Sequence, residues 1–342
     1  MPRRLVINLR DQRPIWAIPP WAADEIRATL PEGWECVVVG APADGSGDGR
    51  GASAEAVEAA RGAEVYLGWG VPREVFAAAG GALRWAHSAS AGVGGVLYPE
   101  MVESGVALTN SAGVHAEPIA DTVLAMMLHF ARGLDFAVRA QAERRWDKAP
   151  WDAADAPVRE LAESTVGLLG LGGIALAVAR RAAALGMRVA ATRRTSTEGP
   201  EGVEVFAGDD ALDRLLSISH YLVVTVPSTS QTAGMIGGRE LARLPAGAVV
   251  VNVSRGDVID EDALVEALRA GRLRGAGLDV FRSEPLPAPS PLWALPNTLL
   301  LPHVSGTSPS FWRRETDLIV ANLRRHLAGQ PLLNTVDKHA GY

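Results

Sequence analysis

Thr165-Val-Gly-Leu-Leu-Gly170-Leu-Gly172-Gly173-Ile174-Ala175 (TVGLLGLGGIA) runs a short apolar stretch into a glycine turn, and Leu176–Leu185, closed by Gly186, follows. An apolar run of this length, stopped by glycine, reads as a strand buried on both faces, and the alanine-rich stretch after it as a helix. Gly170 permits the tight turn, Gly172 lets a pyrophosphate approach the backbone, and Ala175 is small enough for helix to pack closely on strand. The helix start offers free N–H groups and the positive end of its dipole. A lone GxGxxA is weak, because glycine turns between strand and helix are common. Here strand, loop, helix and a second strand at Met187–Ala191 come in the right order. A dinucleotide-binding unit is expected, with Gly170, Gly172, Gly173 and Ile174 against the cofactor.

The second strand ends in Ala190-Ala-Thr192-Arg193-Arg194-Thr-Ser196. Near Thr192 an Asp or Glu would take the ribose 2′-hydroxyl of NAD, and no acid stands there. Arg193 and Arg194 are suited instead to a 2′-phosphate, so NADP(H) is expected to be preferred, with NAD(H) possible. The competing reading is a basic turn facing water.

Outward from the loop, the chain divides into two βαβ series. Before it, strands are expected at Arg4–Leu9, Glu35–Val39, Ala63–Leu67, Leu83–His87 and Val106–Thr109, with helices near Trp21–Leu30, Ser53–Arg61 and Arg73–Ala79. Ala41–Ala52 (APADGSGDGRGA) cannot supply a core and reads as a surface loop. After the glycine loop, strands are expected at Tyr221–Val226, Ala248–Val253, Gly275–Val280 and Thr298–Leu301, then a last helix near Ser308–Ala328. This alternation predicts an α/β protein of two Rossmann-like, doubly wound parallel-sheet domains with a cleft between them. The length of 342 residues agrees with two domains.

Bulk properties exclude several classes. A net charge of −6 gives no reason to expect nucleic acid or an anionic membrane as partner. Cys36 is the only cysteine, so an intramolecular disulfide and a cysteine-based zinc cluster are both ruled out. No HExxH spacing and no GxSxG elbow occurs, and no metal is expected. No apolar run approaches a membrane span, and a cytoplasmic protein is expected.

Three later segments place a chemically loaded residue just past a strand: Asn252-Val-Ser-Arg255-Gly, Leu278-Asp279-Val-Phe-Arg-Ser-Glu284-Pro, and Leu301-Pro-His303-Val-Ser-Gly306. Ligands of open α/β sheets bind outside the carboxyl ends of the strands, so these residues are candidates for one site. Together with the glycine loop, Val226-Pro-Ser-Thr-Ser-Gln-Thr232 and Ser290-Pro-Leu-Trp293, they resemble the D-isomer-specific 2-hydroxyacid dehydrogenases, and within them the glyoxylate/hydroxypyruvate reductases. Reducing a 2-keto acid requires a hydride at C2 and a proton on the carbonyl oxygen. His303 suits the acid, because imidazole titrates near neutrality. Glu284 would hydrogen-bond its other nitrogen and favour the imidazolium. The planar fork of Arg255 would polarise the keto oxygen and grip the carboxylate. The other histidines, His87, His115, His129, His220, His326 and His339, show no such partners in sequence.

The resemblance implies further roles. Val226, Pro227, Thr232, Val253, Asp279 and Gly306 join Thr192, Arg193 and Arg194 in the cofactor set, with Asp279 near the nicotinamide amide, a purely structural Asp at that turn being the alternative. In Ser88-Ala-Ser-Ala91-Gly92-Val-Gly-Gly95 the backbone N–H groups of Ala91 and Gly92 are expected to hold the substrate carboxylate. Gly94 stands where the family commonly has Asp. Trp69 is a candidate pocket wall, and Trp312 is left with the core. Residues 1–110 plus 307–342 would form a flavodoxin-like substrate domain and 111–306 the dinucleotide-binding Rossmann domain. A hinge between them, crossed twice by the chain, would close to expel water. The apolar helix Pro118–Gly133 must be buried, and a homodimer is expected, with burial inside its own domain as the alternative. The expected activity is NADP(H)-preferring reduction of a small 2-keto acid. The alternatives are a nucleotide-sensing, corepressor-like binding protein on the same scaffold and an NAD-specific dehydrogenase of a larger 2-hydroxy acid.

Overall fold

The computed structural model describes residues 3–42 and 51–341, so most of the Ala41–Ala52 loop lies outside the described residues. The chain resolves into two units, Met1–His115 with Thr307–Tyr342, and Ala116–Gly306.

In the first unit, β1 (Arg3–Asn8), β2 (Trp34–Val38), β3 (Val65–Gly68), β4 (Trp85–Ser88) and β5 (Ala107–Asn110) form a parallel sheet in the order β2-β1-β3-β4-β5. The expected strands are all present, displaced by a residue or two. Successive β1 side chains point to opposite faces, as strand geometry demands. Leu5 and Ile7 join a core with Ile26, Phe311 and Ile319, while Val6 joins another with Tyr66, Val75 and Met101. Both faces are covered, which a parallel sheet requires.

The second unit contains β6 (Thr165–Leu169), β7 (Arg188–Thr192), β8 (Val203–Phe206), β9 (Tyr221–Val224), β10 (Ala248–Asn252), β11 (Leu273–Leu278) and β12 (Thr298–Leu300), again all parallel. Their order is β12-β11-β10-β9-β6-β7-β8. Strand direction of winding therefore reverses between β6 and β9, the switch point at which such sheets bind ligands. β6 again splits by parity: Val166 and Leu168 pack with the Gly173–Ala184 helix, Leu169 with Leu215 and Leu222. Gly167 sits where a Cβ would come within 1.8 Å of Ser219 Oγ, so the α-helix ending there can lie directly on the strand.

One strand goes beyond the sequence expectations, and the apolar helix takes the burial given as its alternative. β8 was not expected; it is the sheet's edge, only half buried, and its VEVF is too short and polar to stand out. The apolar helix, observed at Ala116–Ala131, finds its burial inside its own unit. Phe130 and Met126 seat on Gly275 and Gly277 of β11, where a Cβ would lie 2.4 and 2.7 Å from them. Its apolar face therefore needs no second subunit. Among the described residues no helix is long and apolar enough to cross a membrane.

Candidate functional site at the strand ends of the second unit

The glycine turn follows β6 as the pattern requires. Gly170 has φ +90, and a Cβ there would lie 2.9 Å from Val226 Cγ1, so both backbone angle and space demand glycine. Its N–H donates to Thr192 Oγ1 at 3.0 Å. Thr192 is thus buried and braces the loop, a use that sequence alone did not reveal. Gly172 caps the Gly173–Ala184 helix without any side-chain cap, leaving the first N–H groups unpaired within the helix. A Cβ on Gly172 would meet nothing within 4 Å, and Gly172 and Gly173 are both exposed, Ile174 partly so. The chain's own packing gives no reason for a glycine at 172. A ligand resting on the uncapped helix start does, so the donor set fits a dinucleotide pyrophosphate.

Arg193 and Arg194 leave β7 on its solvent side; Arg193 is held by its N–H to Phe206 O at 2.9 Å, and its guanidinium makes no bond to any described residue. Val226 and Pro227 follow β9, across the switch point from the glycine turn. The Thr232 hydroxyl donates to Pro227 O at 2.6 Å and closes that loop.

The three loaded segments leave β10, β11 and β12, adjacent strands of the sheet. After β10, Asn252 makes the turn: its Nδ2 donates to Arg255 O at 3.0 Å and its Oδ1 accepts Ser254 N–H at 3.1 Å. Val253 is buried beside it and Arg255 is exposed, with Nη1 on Ser254 O at 2.6 Å. Gly256 then passes so close to the β11 exit that a Cβ would lie 1.9 Å from the Phe281 carbonyl carbon. After β11, Glu284 Oε1 accepts Phe281 N–H at 3.0 Å, and Oε2 receives His303 Nδ1 at 2.7 Å. After β12, His303 stands in the left-handed region at φ 54, a conformation that costs a non-glycine residue about 1–3 kcal/mol. Asp279 holds it there. Its buried carboxylate accepts Val304 N–H at 2.8 Å and Ser305 N–H at 3.0 Å, and Ser305 Oγ as well. Those bonds make Asp279 the anchor of the His303 turn.

In the first unit, the Ser88–Gly92 loop follows β4, with Ala91 and Gly92 exposed. Ser88 Oγ and Ser90 Oγ both donate to Trp69 O at 3.1 Å. Trp69 itself is buried, stacked on Phe311 at 5.7 Å and edge-on to Trp16 at 5.8 Å and Trp312 at 5.9 Å. Trp312 is core, as expected.

One constellation was missed. His87 is not isolated: its Nδ1 lies 2.8 Å from Thr109 Oγ1 and its Nε2 2.8 Å from Glu315 Oε1, all fully buried. The partner lies 228 positions away on the last helix, so no local spacing signals it. His326 likewise meets Glu64 at 3.0 Å. Among the described residues no group of His, Cys, Asp and Glu is placed to hold a metal ion.

Comparison with known proteins places this geometry. Residues 124–305 match the family described as D-isomer specific 2-hydroxyacid dehydrogenase, NAD binding domain. Glyoxylate/hydroxypyruvate reductase B of Pectobacterium atrosepticum is 38% identical over 75% of this chain and 79% of its own length. Glyoxylate reductase of Korarchaeum cryptofilum is 35% identical over 78% and 80%. Among solved structures, a D-isomer specific 2-hydroxyacid dehydrogenase of Xanthobacter autotrophicus in complex with NADPH and MES superposes with TM-score 0.81, 34% identity and full coverage of both chains. An NADPH-dependent glyoxylate/hydroxypyruvate reductase of Sinorhizobium meliloti, in complex with NADP and sulfate, gives TM-score 0.78 at 27% identity, covering 99% of this chain and 100% of that one.

Proposed function

This chain belongs to the D-isomer specific 2-hydroxyacid dehydrogenase family, and on that premise we propose that it is an NADP(H)-preferring reductase of small 2-keto acids of the glyoxylate or hydroxypyruvate kind. The observation that carries the reading is the 2.7 Å bond from His303 Nδ1 to Glu284 Oε2, with Arg255 exposed at the end of the next strand but one. NADPH, when bound, would supply the hydride that C2 requires. His303, its Nδ1 proton engaged by Glu284, presents Nε2 to the keto oxygen and delivers the proton there. Glu284 fixes the orientation of the ring through Nδ1, and in the reverse direction Nε2 receives the proton. Arg255 polarises the keto oxygen and binds the carboxylate. In the first unit, the exposed N–H groups of Ala91 and Gly92 are the proposed donors of the Ser88–Gly92 loop to a substrate carboxylate. Trp69 backs that loop through the two serines that bond its carbonyl. Gly172, Gly173 and Ile174 would hold the pyrophosphate, and Val226, Pro227, Thr232, Val253 and Gly306 would supply the further contacts to the cofactor.

NADP(H) preference is supported by the unengaged Arg193 guanidinium, by Arg194 beside it, and by the absence of an acid at the end of β7. The test is a panel of 2-keto acids with NADPH and NADH side by side, in the wild type and in Arg193→Ala. We expect turnover of glyoxylate or hydroxypyruvate, with NADPH favoured. Loss of a charge-assisted bond should raise the KM for NADPH about tenfold or more in Arg193→Ala and leave that for NADH nearly unchanged. Equal losses for both cofactors would return the pair to solvent. A protein that binds NADPH and reduces no keto acid would instead favour the nucleotide-sensing alternative, against which the intact Arg255, Glu284 and His303 set argues.

We also propose a homodimer, on different grounds from those of sequence. The following helix, Leu134–Ala142, leaves Val138 58% exposed and Leu134 45% exposed, and Trp146 beyond it is 95% exposed. Such apolar exposure in one segment supports association through this face. Sedimentation should give a dimer for the wild type and a monomer for Val138→Asp; a monomeric wild type removes this part of the reading.

A further inference from the structure

The loop assigned to the substrate carboxylate is gripped from behind. Ser111 N–H donates to Ser90 O at 3.3 Å, and Asn110 Nδ2 donates to Ala91 O at 2.8 Å. Both peptide groups are trans, so each carbonyl and the N–H that follows it point in opposite directions. Ala91 N–H shares a plane with the Ser90 carbonyl, and Gly92 N–H with the Ala91 carbonyl. Because both carbonyls are tied to the exit of β5, both N–H groups turn away from it. Neither has a partner among the described residues, and both residues are exposed. Two successive N–H groups aimed to one side make an anion-binding concavity.

The grip is itself fixed from the far end of the chain. β5 is the edge of its sheet, and there Thr109 and Thr335 form an antiparallel bridge. Asn110 N–H donates to Asn334 O at 3.2 Å, and Val336 N–H to Leu108 O at 2.8 Å. Asn334, left-handed at φ 53, donates its amide to Asn110 O at 3.2 Å and Ala112 O at 2.8 Å. The Asn110 side chain is used at both ends, since Oδ1 accepts Ala112 N–H at 3.1 Å, and this settles which way Nδ2 points. Ser111 is held by another line: its Oγ lies 3.1 Å from Ser88 O and 3.0 Å from Glu315 Oε1, the buried partner of His87.

We propose that Asn110 is a positioning residue for carboxylate recognition, locking the Ala91–Gly92 peptide with its N–H toward the substrate, and that the C-terminal segment around Asn334 holds Asn110 in place. This rests on the reading that Ala91 and Gly92 bind the substrate carboxylate. The peptide group needs no reorganisation when the anion arrives, so the role is in binding and not in proton or hydride movement.

Steady-state kinetics of the full chain with glyoxylate and NADPH, with NADPH affinity and Tm measured alongside, tests this. Asn110→Ala should raise the KM for glyoxylate about tenfold with kcat changed less than about threefold, and NADPH affinity should stay at the wild-type value. Asn334→Gly keeps the positive φ while removing the amide, so it should shift the same KM in the same direction by less. If Asn110→Ala does not fold, Asn334→Gly decides. An unmoved KM, or KM, kcat, NADPH affinity and Tm all deteriorating together, overturns the positioning role. Wild-type chain that reduces no 2-keto acid overturns the reductase reading beneath it, which an active wild type with an unmoved KM in Asn110→Ala does not.

Discussion

In His303→Gln, reduction of the 2-keto acid is expected to fall by about 10²–10⁴-fold, the usual worth of a positioned general acid, while NADPH still binds and Tm stays close to wild type. The substitution keeps size and polarity but removes the ionisable nitrogen. The turn that carries residue 303 should survive, because Asp279 holds it through Val304 and Ser305 and not through the imidazole. The glycine turn proposed to receive the dinucleotide stands at β6, separated from β12 by the three strands β9, β10 and β11, and shares no hydrogen bond with His303. Activity and cofactor binding should therefore separate. Stopped-flow turnover beside a fluorescence titration of NADPH reads both at once. Turnover within a few-fold of wild type, or loss of NADPH binding in parallel, would falsify the assignment of His303 as the proton donor.

Gly256→Ala should act from outside the reacting groups and still remove most of the activity. A Cβ at 256 would lie 1.9 Å from the Phe281 carbonyl carbon, 2.1 Å from its oxygen and 2.4 Å from Arg282 N. No side-chain rotation relieves a clash with backbone, so the exits of β10 and β11 must part. Those exits carry Arg255 and Glu284, and Glu284 takes its orientation from Phe281 N–H. A displacement of about 1 Å between catalytic groups can cost about 10²-fold in rate. Overpacking of this kind also destabilises by about 1–3 kcal/mol, so Tm should drop by several degrees. The comparison that makes this specific is Gly172, where an added Cβ meets nothing within 4 Å. Kinetics and thermal denaturation of Gly256→Ala settle the matter: wild-type rates with wild-type Tm would mean the two exits are not held in contact.

Much of this was legible without coordinates, for a local reason. Strands buried on both faces have to be apolar runs, and helices between them have to be alanine- and leucine-rich, so the two βαβ series announced themselves. Gly170 was readable because a left-handed turn between strand and helix admits little else. Arg255, Glu284 and His303 were readable because each stands just past a strand, where the sheet delivers its side chains to a ligand. The strand missed, Val203–Phe206, is an edge half in solvent, and nothing in its own four residues requires burial.

Sequence by itself determined the architecture, the glycine turn, the missing acid after β7 and the candidates for the acid–base set, because each is read from residues a few positions apart. Tertiary structure alone decided which groups those residues lean on. It gave Asp279 to the backbone of Val304 and Ser305, tied Thr192 to Gly170, paired His87 with Glu315, and brought Asn334 to Asn110. These partners lie 22 to 228 positions apart along the chain. A hydrogen bond needs only about 3 Å in space, and the sheet order that supplies that proximity leaves no mark in local spacing.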